Sequence, residues 1–256
     1  MMSASASVSA IELPVRPAKR PHRDWPRAFR AIRRLFADNE DTTQVFEIMQ
    51  ALNGDSAMRG YLRLLRTDDG GRIAYERVEL ADKLMDADFR ASFPPGSVGA
   101  AYVHFIETEH LSAQGLVDES HKGGLNPLLD PCHPYAWFGR RIRDVHDIWH
   151  ILTGYGRDAL GEICMTGFSY GETHALGWAM LSAGGYLRCH GPAAGKARKA
   201  IWESRQRAKK TKVWLLGEDH ERLLFENLEA CRRRIGLTPP VAYEAVPPEQ
   251  RHLALV

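Results

Sequence analysis

The sequence predicts an all-α protein, a multi-helix bundle built as a single domain. Two observations carry that expectation. Apolar residues recur at i, i+3, i+4 and i+7 from Trp25 onward, the spacing of one helix face. Prolines and glycines fall between those runs and break them into helix-sized pieces. A chain of 256 residues, 44% hydrophobic and 26% charged, can bury a core at this length without staples.

The elements follow in order. Residues 1–24 are rich in Ser, Ala and Arg and poor in acids, which fits a disordered tail or a targeting peptide. No apolar stretch follows the charges, which excludes a secretory signal. The domain is expected over 25–240, with a C-terminal tail at 241–256. Val45, Ile48, Met49 and Leu52 form one apolar stripe, and Met58, Tyr61, Leu62 and Leu65 repeat it. Residues 67–80 read as a turn, a short extended piece and a helix start. Pro94 and Pro95 stop one element, and Ser97 caps the next, with Val98, Ala101, Tyr102, Phe105 and Ile106 on its buried face. A short helix at 112–122 precedes a proline-rich loop at 121–135. One long helix is expected from about Ala136 to Thr153 and another from about Arg157 to Leu187. In the second, Gly167, Gly171, Ala175, Ala179 and Ala183 recur four apart, which lets a neighbouring helix approach closely. A basic stretch at 195–212 suits a solvated or headgroup-facing surface. The last helix ends at Gly236, before Pro239 and Pro240.

Several function classes drop out. A net charge of +2 gives no field for nucleic acid. The four cysteines, Cys132, Cys164, Cys189 and Cys231, form no CxxC pair, so neither a zinc ribbon nor a disulfide framework is indicated. No run of 18 apolar residues exists, so no spanning helix is expected. P-loop and GxGxxG patterns are missing.

The chemistry gathers in HDIWHILTGYGRDALGE, residues 146–162. On a helix, Phe138, Ile142, Val145, Trp149 and Leu152 form an apolar stripe, and Arg143, His146, Asp147, His150 and Gly154 a polar one. Histidines at i and i+4 can grip one metal ion. Asp147 can reach the same ion or orient a ligand. On one straight helix Glu162 would lie about 24 Å from His146 and point about 160° away. Gly154, Gly156 and Gly161 let the chain turn and bring a second helix alongside. Glu162 then sits among apolar residues, where a carboxylate needs a cationic partner. Spacing alone leaves two readings, a metal site and a polar helix face. Elsewhere, Glu107 and His110 make an ExxH, but Glu107 falls on the solvent face. His133 is a loop histidine without a motif.

The pattern H-D-x-x-H, eleven residues, then E resembles the ubiquinone biosynthesis protein family known as Coq-four. DTTQVFEIMQALNG, YLRLLRTDDGGR, FPPGSVGAAYVHF, RRIRDVHD and VWLLGEDHERLLFENLEACRRRIGL also look like family segments in order, over roughly residues 30–237. The resemblance implies a helical bundle in which His146, Asp147, His150 and Glu162 hold a metal and carry the chemistry. The metal it implies is zinc; iron, manganese and magnesium stay open, because two histidines with carboxylates also suit non-haem iron. It implies oxidative decarboxylation of a polyprenylated hydroxybenzoate, organisation of the biosynthetic complex, or both. The alternative is a prenyl-lipid-binding scaffold with a structural metal. Arg141 and Arg143 are candidates to bind the anionic head group. Phe168, Tyr170, Trp178 and Met180 are candidates to line a groove for the tail. The implied partners are a polyprenylated aromatic lipid, other ubiquinone biosynthesis proteins and a membrane surface, with a homodimer as a further option. The implied location is the bacterial cytoplasm at the inner membrane, or the matrix face of the mitochondrial inner membrane.

Overall fold

The computed structural model describes residues 22–38, 41, 43–109 and 132–253. The helix expected at 112–122, most of the loop that follows it and residues 1–21 lie outside that range. Every regular element among the described residues is helical, and one isolated antiparallel bridge, Ser97 with Asn227, is the nearest thing to a sheet.

Asp24 caps α1 (Trp25–Ala37), its carboxylate accepting from the Arg27 N–H at 2.9 Å. Helix α2 (Thr43–Leu52) buries Ile48, Ala51 and Leu52 against Ala28, Ala31 and Ile32 of α1, and Leu181 joins them from further along the chain. Next come α3 (Ser56–Leu64) and α4 (Gly70–Glu76). The second is a correction: residues 70–76 are helical, not extended, because Ile73 and Ala74 meet the core at helical spacing. Short helices α5 (Leu80–Met85) and α6 (Ala87–Ala91) lead to α7 (Val98–Thr108). Ser97 caps α7 as expected, accepting from the Ala100 N–H at 3.0 Å.

The two long helices of the sequence reading are each two. The first is α8 (Pro134–Asp144) and α9 (His146–Thr153), parted at Val145. His133 acquires a role there: its Nδ1 accepts from the Tyr135 N–H at 3.2 Å and caps α8. The apolar stripe survives the break, with Phe138, Val145, Trp149 and Leu152 all buried. The second is α10 (Ala159–Thr173) and α11 (Leu176–Arg188), parted at His174, which sits in the left-handed region at φ +53°. A left-handed histidine carries no sequence flag of the kind glycine supplies.

The small-residue stripe does part of what its spacing predicts. α12 (Ala194–Lys209) lies against α10 so closely that a Cβ on Gly171 would fall 2.4 Å from the Ala208 Cβ. A 3-10 turn (Leu215–Gly217) leads to α13 (His220–Leu223) and α14 (Leu228–Ile235), where one helix was expected. Beyond Pro240 the chain forms α15 (Val241–Glu244) and α16 (Pro248–Leu253), with Tyr243 and Val246 buried. The four cysteines are free thiols.

Glu172, near the end of α10, is 3% exposed. Its carboxylate accepts from the Leu215 N–H at 3.1 Å. Burial nevertheless pushes its pKa up to about 7. Between about pH 4.5 and 7 the unfolded chain gives up this proton while the folded chain keeps it, so stability falls with rising pH across that window. Glu172→Gln keeps an acceptor for Leu215 and has nothing to titrate. It should raise the free energy of unfolding at pH 8 by on the order of 2 kcal/mol, and much less at pH 5, and the thermal midpoint with it. Equal shifts at the two pH values in paired thermal melts would refute this.

Candidate metal centre

Helix α9 opens with His146 and carries His150 one turn on, their ring centroids 4.7 Å apart. Gly154 ends it in the left-handed conformation, φ +77°, which an L side chain would resist. The end of α9 leaves carbonyls without helical partners. Arg232 takes those of Ile151 and Leu152 at 2.6 and 3.1 Å, and Arg207 takes that of Thr153 at 2.8 Å.

The chain then reverses. Asp158 caps α10 by accepting from the Gly161 N–H at 2.9 Å. Gly161 packs so tightly on the turn that a Cβ there would lie 1.9 Å from the Gly156 carbonyl oxygen. Tyr243 of α15 fastens the turn from outside. Its hydroxyl donates to Asp158 Oδ2 and accepts from the Gly156 N–H at 3.0 Å. Tyr243→Phe removes both bonds, and a third that the hydroxyl accepts from Arg251 Nη1 at 3.1 Å, and should cost about 1–2 kcal/mol in chemical denaturation. A variant as stable as the parent would contradict the fastening role.

This turn delivers Glu162. Its Oε2 lies 3.5 Å from His150 Nε2 and 3.9 Å from His146 Nε2. One ligand atom from each of the three falls within 4.8 Å of the others. Asp147 meets the opposite nitrogen of His146, Oδ1 to Nδ1 at 3.3 Å, and so is placed to orient that ring. His150 Nδ1 lies 2.9 Å from the Tyr155 carbonyl oxygen. A carbonyl only accepts, so Nδ1 carries the hydrogen, and in the neutral ring Nε2 presents its lone pair. That Nε2 is buried and has no hydrogen-bond partner, and Phe105 stacks over its ring at 5.9 Å. A buried basic nitrogen aimed at a carboxylate, with a second imidazole beside it, is a donor set that fits a divalent cation.

The charges agree with that fit. Burial raises the Glu162 pKa, but His150, His146 and Arg157 outweigh it and hold the carboxyl at about 2. Burial lowers the His146 pKa, and the Asp147 hydrogen bond with the Glu162 charge more than reverses this. Arg157 was not singled out in the sequence, yet its Nε lies 3.2 Å from Glu162 Oε1. Its one sequence signal is its place, a cation five residues before a carboxylate that needs one.

The two arginines proposed for the head group part company. Arg143 pairs with Asp144 at 2.6 Å and lines the cavity beside the site. Arg141 is buried on another face of α8, donating to the Glu218 carbonyl at 2.6 Å and facing His220 Nδ1 at 3.1 Å. Burial draws its pKa down to about 10. Arg141 is not among the residues that line the cavity beside the site. Glu107 is exposed, as its helix position predicts.

The cavity measures about 1130 Å³. His146, Asp147, Arg157 and Glu162 give it a polar patch, while Leu35, Phe36, Val45, Met49, Trp178 and Leu181 give it apolar walls. Of the expected groove residues, Trp178 lines it. Phe168 instead packs edge-on against Trp149 at 5.8 Å, Tyr170 lies under Arg205, and Met180 packs into the α1–α2 cluster.

Fold and site together define an all-helical protein with a two-histidine, one-carboxylate candidate metal centre in the wall of a large, largely apolar cavity. The chain belongs to the coenzyme Q (ubiquinone) biosynthesis protein Coq4 family, whose sequence model matches residues 34–241. It is 28% identical over 209 residues to the mitochondrial ubiquinone biosynthesis protein COQ4 homolog of Bos taurus, covering 77% of this chain and 74% of that one. The Homo sapiens homolog, also named as mitochondrial, is 25% identical over 201 residues, covering 75% and 71%. A solved structure from Nostoc punctiforme PCC 73102, a candidate ubiquinone biosynthesis protein by its description, shares the fold. Its TM-score is 0.57 at 18% identity, covering 84% of this chain and 98% of that one. Among the described residues no helix is long and apolar enough to cross a membrane.

Proposed function

We propose that this chain is a divalent-metal-dependent enzyme of ubiquinone synthesis that acts on the carboxyl-bearing ring carbon of a polyprenylated hydroxybenzoate. The observation that carries the reading is the convergence of His146, His150 and Glu162 on one point in the wall of a largely apolar cavity. A divalent ion held by these three side chains would supply a Lewis acid for the ring carboxylate or phenolate, a role that suits zinc, whereas iron could also exchange electrons. Arg157 and Arg143 supply positive charge for the anionic head. Asp147 keeps His146 turned so that Nε2 faces Glu162. The apolar walls take the isoprenoid chain and exclude water.

The balance sets a further requirement. Converting the ring carboxylate and water to a phenol releases carbon dioxide, one proton and two electrons. An acceptor such as dioxygen must take those electrons, because zinc has no redox chemistry. The apolar substrate puts the work at a membrane surface, alongside other ubiquinone biosynthesis proteins.

A second reading keeps the same ligands. The metal would tie α9 to α10 in a prenyl-lipid-binding scaffold, which the full burial of the His150 side chain favours. One measurement separates the possibilities: metal content by mass spectrometry on protein purified without a metal-affinity tag, followed by carbon dioxide release from a prenylated hydroxybenzoate under air. About one equivalent of metal with release supports the enzyme. Metal without release supports the scaffold. Protein free of metal makes residues 146–162 a polar helix face.

A further inference from the structure

The two oxygens of Glu162 have different partners. Oε2 lies 3.5 Å from His150 Nε2 and 3.9 Å from His146 Nε2. Oε1 instead accepts from Arg157 Nε at 3.2 Å. A carboxylate can give a metal one oxygen or both. Here the second oxygen is held by a guanidinium, which repels a cation and donates where a metal would bind.

The turn sets Arg157 up for this. Both of its chain neighbours are fastened: the Gly156 N–H donates to the Tyr243 hydroxyl at 3.0 Å, and Asp158 caps α10 through the Gly161 N–H at 2.9 Å. Between those anchors the side chain reaches along the first turn of α10 to Glu162, its one ion-pair partner among the described residues. Spacing points the same way. Ligands at about 2.1 Å with tetrahedral angles stand about 3.4 Å apart, whereas octahedral angles at that bond length bring neighbours to about 3.0 Å. The separations from Oε2, 3.5 and 3.9 Å, lie nearer the tetrahedral figure. Three donors, two imidazole nitrogens and one oxygen, leave a four-coordinate ion one open position.

We propose that Arg157 holds Glu162 to one oxygen and thereby selects a four-coordinate ion of the zinc type over oxygen-seeking ions of higher coordination number, such as manganese. An ion of the second kind gains from a carboxylate that binds through both oxygens; zinc beside two imidazoles gains little. Arg157 is thus a positioning residue, acting on the metal through Glu162. The proposal rests on the reading that His146, His150 and Glu162 hold a divalent metal. It adds which coordination they impose and what imposes it.

The test uses the full chain stripped of metal by chelator, beside Arg157→Met, which keeps a long side chain and removes its donors and charge. The Arg157 side chain is 37% exposed, so the substitution opens no core cavity. Cobalt(II) titrated into the parent should give the strong visible absorption of a four-coordinate site. Arg157→Met should lose most of that absorption as the second oxygen of Glu162 joins. Zinc and manganese affinities, measured by competition with a chromophoric chelator, give the second readout: the zinc-to-manganese ratio should fall roughly tenfold in the variant. A weak cobalt band in the parent, or a spectrum and a ratio that the substitution leaves unchanged, overturns the role of Arg157 and leaves the metal centre standing. So does a rise in both affinities by the same factor, because lost charge alone strengthens every divalent ion alike. Failure of the parent to bind any of the three ions overturns both the proposal and the metal reading.

Discussion

His150→Ala should purify with less than roughly a tenth of the metal carried by the parent chain, and it should fail to support quinone synthesis. The substitution removes the donor nitrogen that sits deepest of the three and leaves Glu162 facing one imidazole across 3.9 Å. It also opens space under Phe105, so some stability is lost with the metal. His146→Ala controls for that. His146 is half-buried, so its loss should cost less stability and as much metal. Metal analysis of both variants, beside complementation of a quinone-deficient strain, reads the two effects apart. A His150→Ala protein that has lost its metal yet still supports quinone synthesis would mean that catalysis at this site is the wrong idea. Retention of the metal would mean that the three side chains are not its ligands.

Gly161→Ala is expected to be nearly as damaging, although Gly161 supplies no ligand. Its added methyl would stand 1.9 Å from the Gly156 carbonyl oxygen, a backbone atom with no rotamer to change. The turn between α9 and α10 must open, and Glu162 is the next residue. We expect a loss of about 3 kcal/mol of stability, at the upper end for overpacking, and at least tenfold weaker metal binding. Urea melts with and without metal, together with a metal titration, would show it. Parent-like values in both would mean that the turn tolerates opening without moving Glu162.

Much of the fold was written in periodicity. The stripes at 45–52 and 98–106, the Ser97 cap and the stop at Gly236 all rest on local patterns, and the structure has them. Breaks without glycine or proline were invisible: His174 takes a left-handed conformation that its sequence neighbours do not announce, and Val145 parts two helices that share one apolar stripe. The site was legible where spacing sufficed. His146 and His150 are one turn apart on a single helix, and the glycines after them signalled the reversal that brings Glu162 back. What spacing could not give was direction in three dimensions. Arg141 and Arg143 are two residues apart, about 200° around a helix, so only one of them faces the cavity. Arg157 and Tyr243 act through contacts that depend on how the chain folds back; the one local mark of Arg157 is its place five residues before Glu162, and Tyr243 has none.

The Tyr243 hydroxyl that fastens the turn belongs to a residue 85 positions beyond its Asp158 partner. During synthesis the two histidines, the glutamate and both flanking helices leave the ribosome well before their latch does. A nascent chain paused anywhere in that interval carries His146, His150 and Glu162 but not the clasp that keeps them in register. Any metal this centre holds would find its ligands clasped only once the chain through Tyr243 is made, and a polypeptide ended before it has an intact motif and an unsecured pocket.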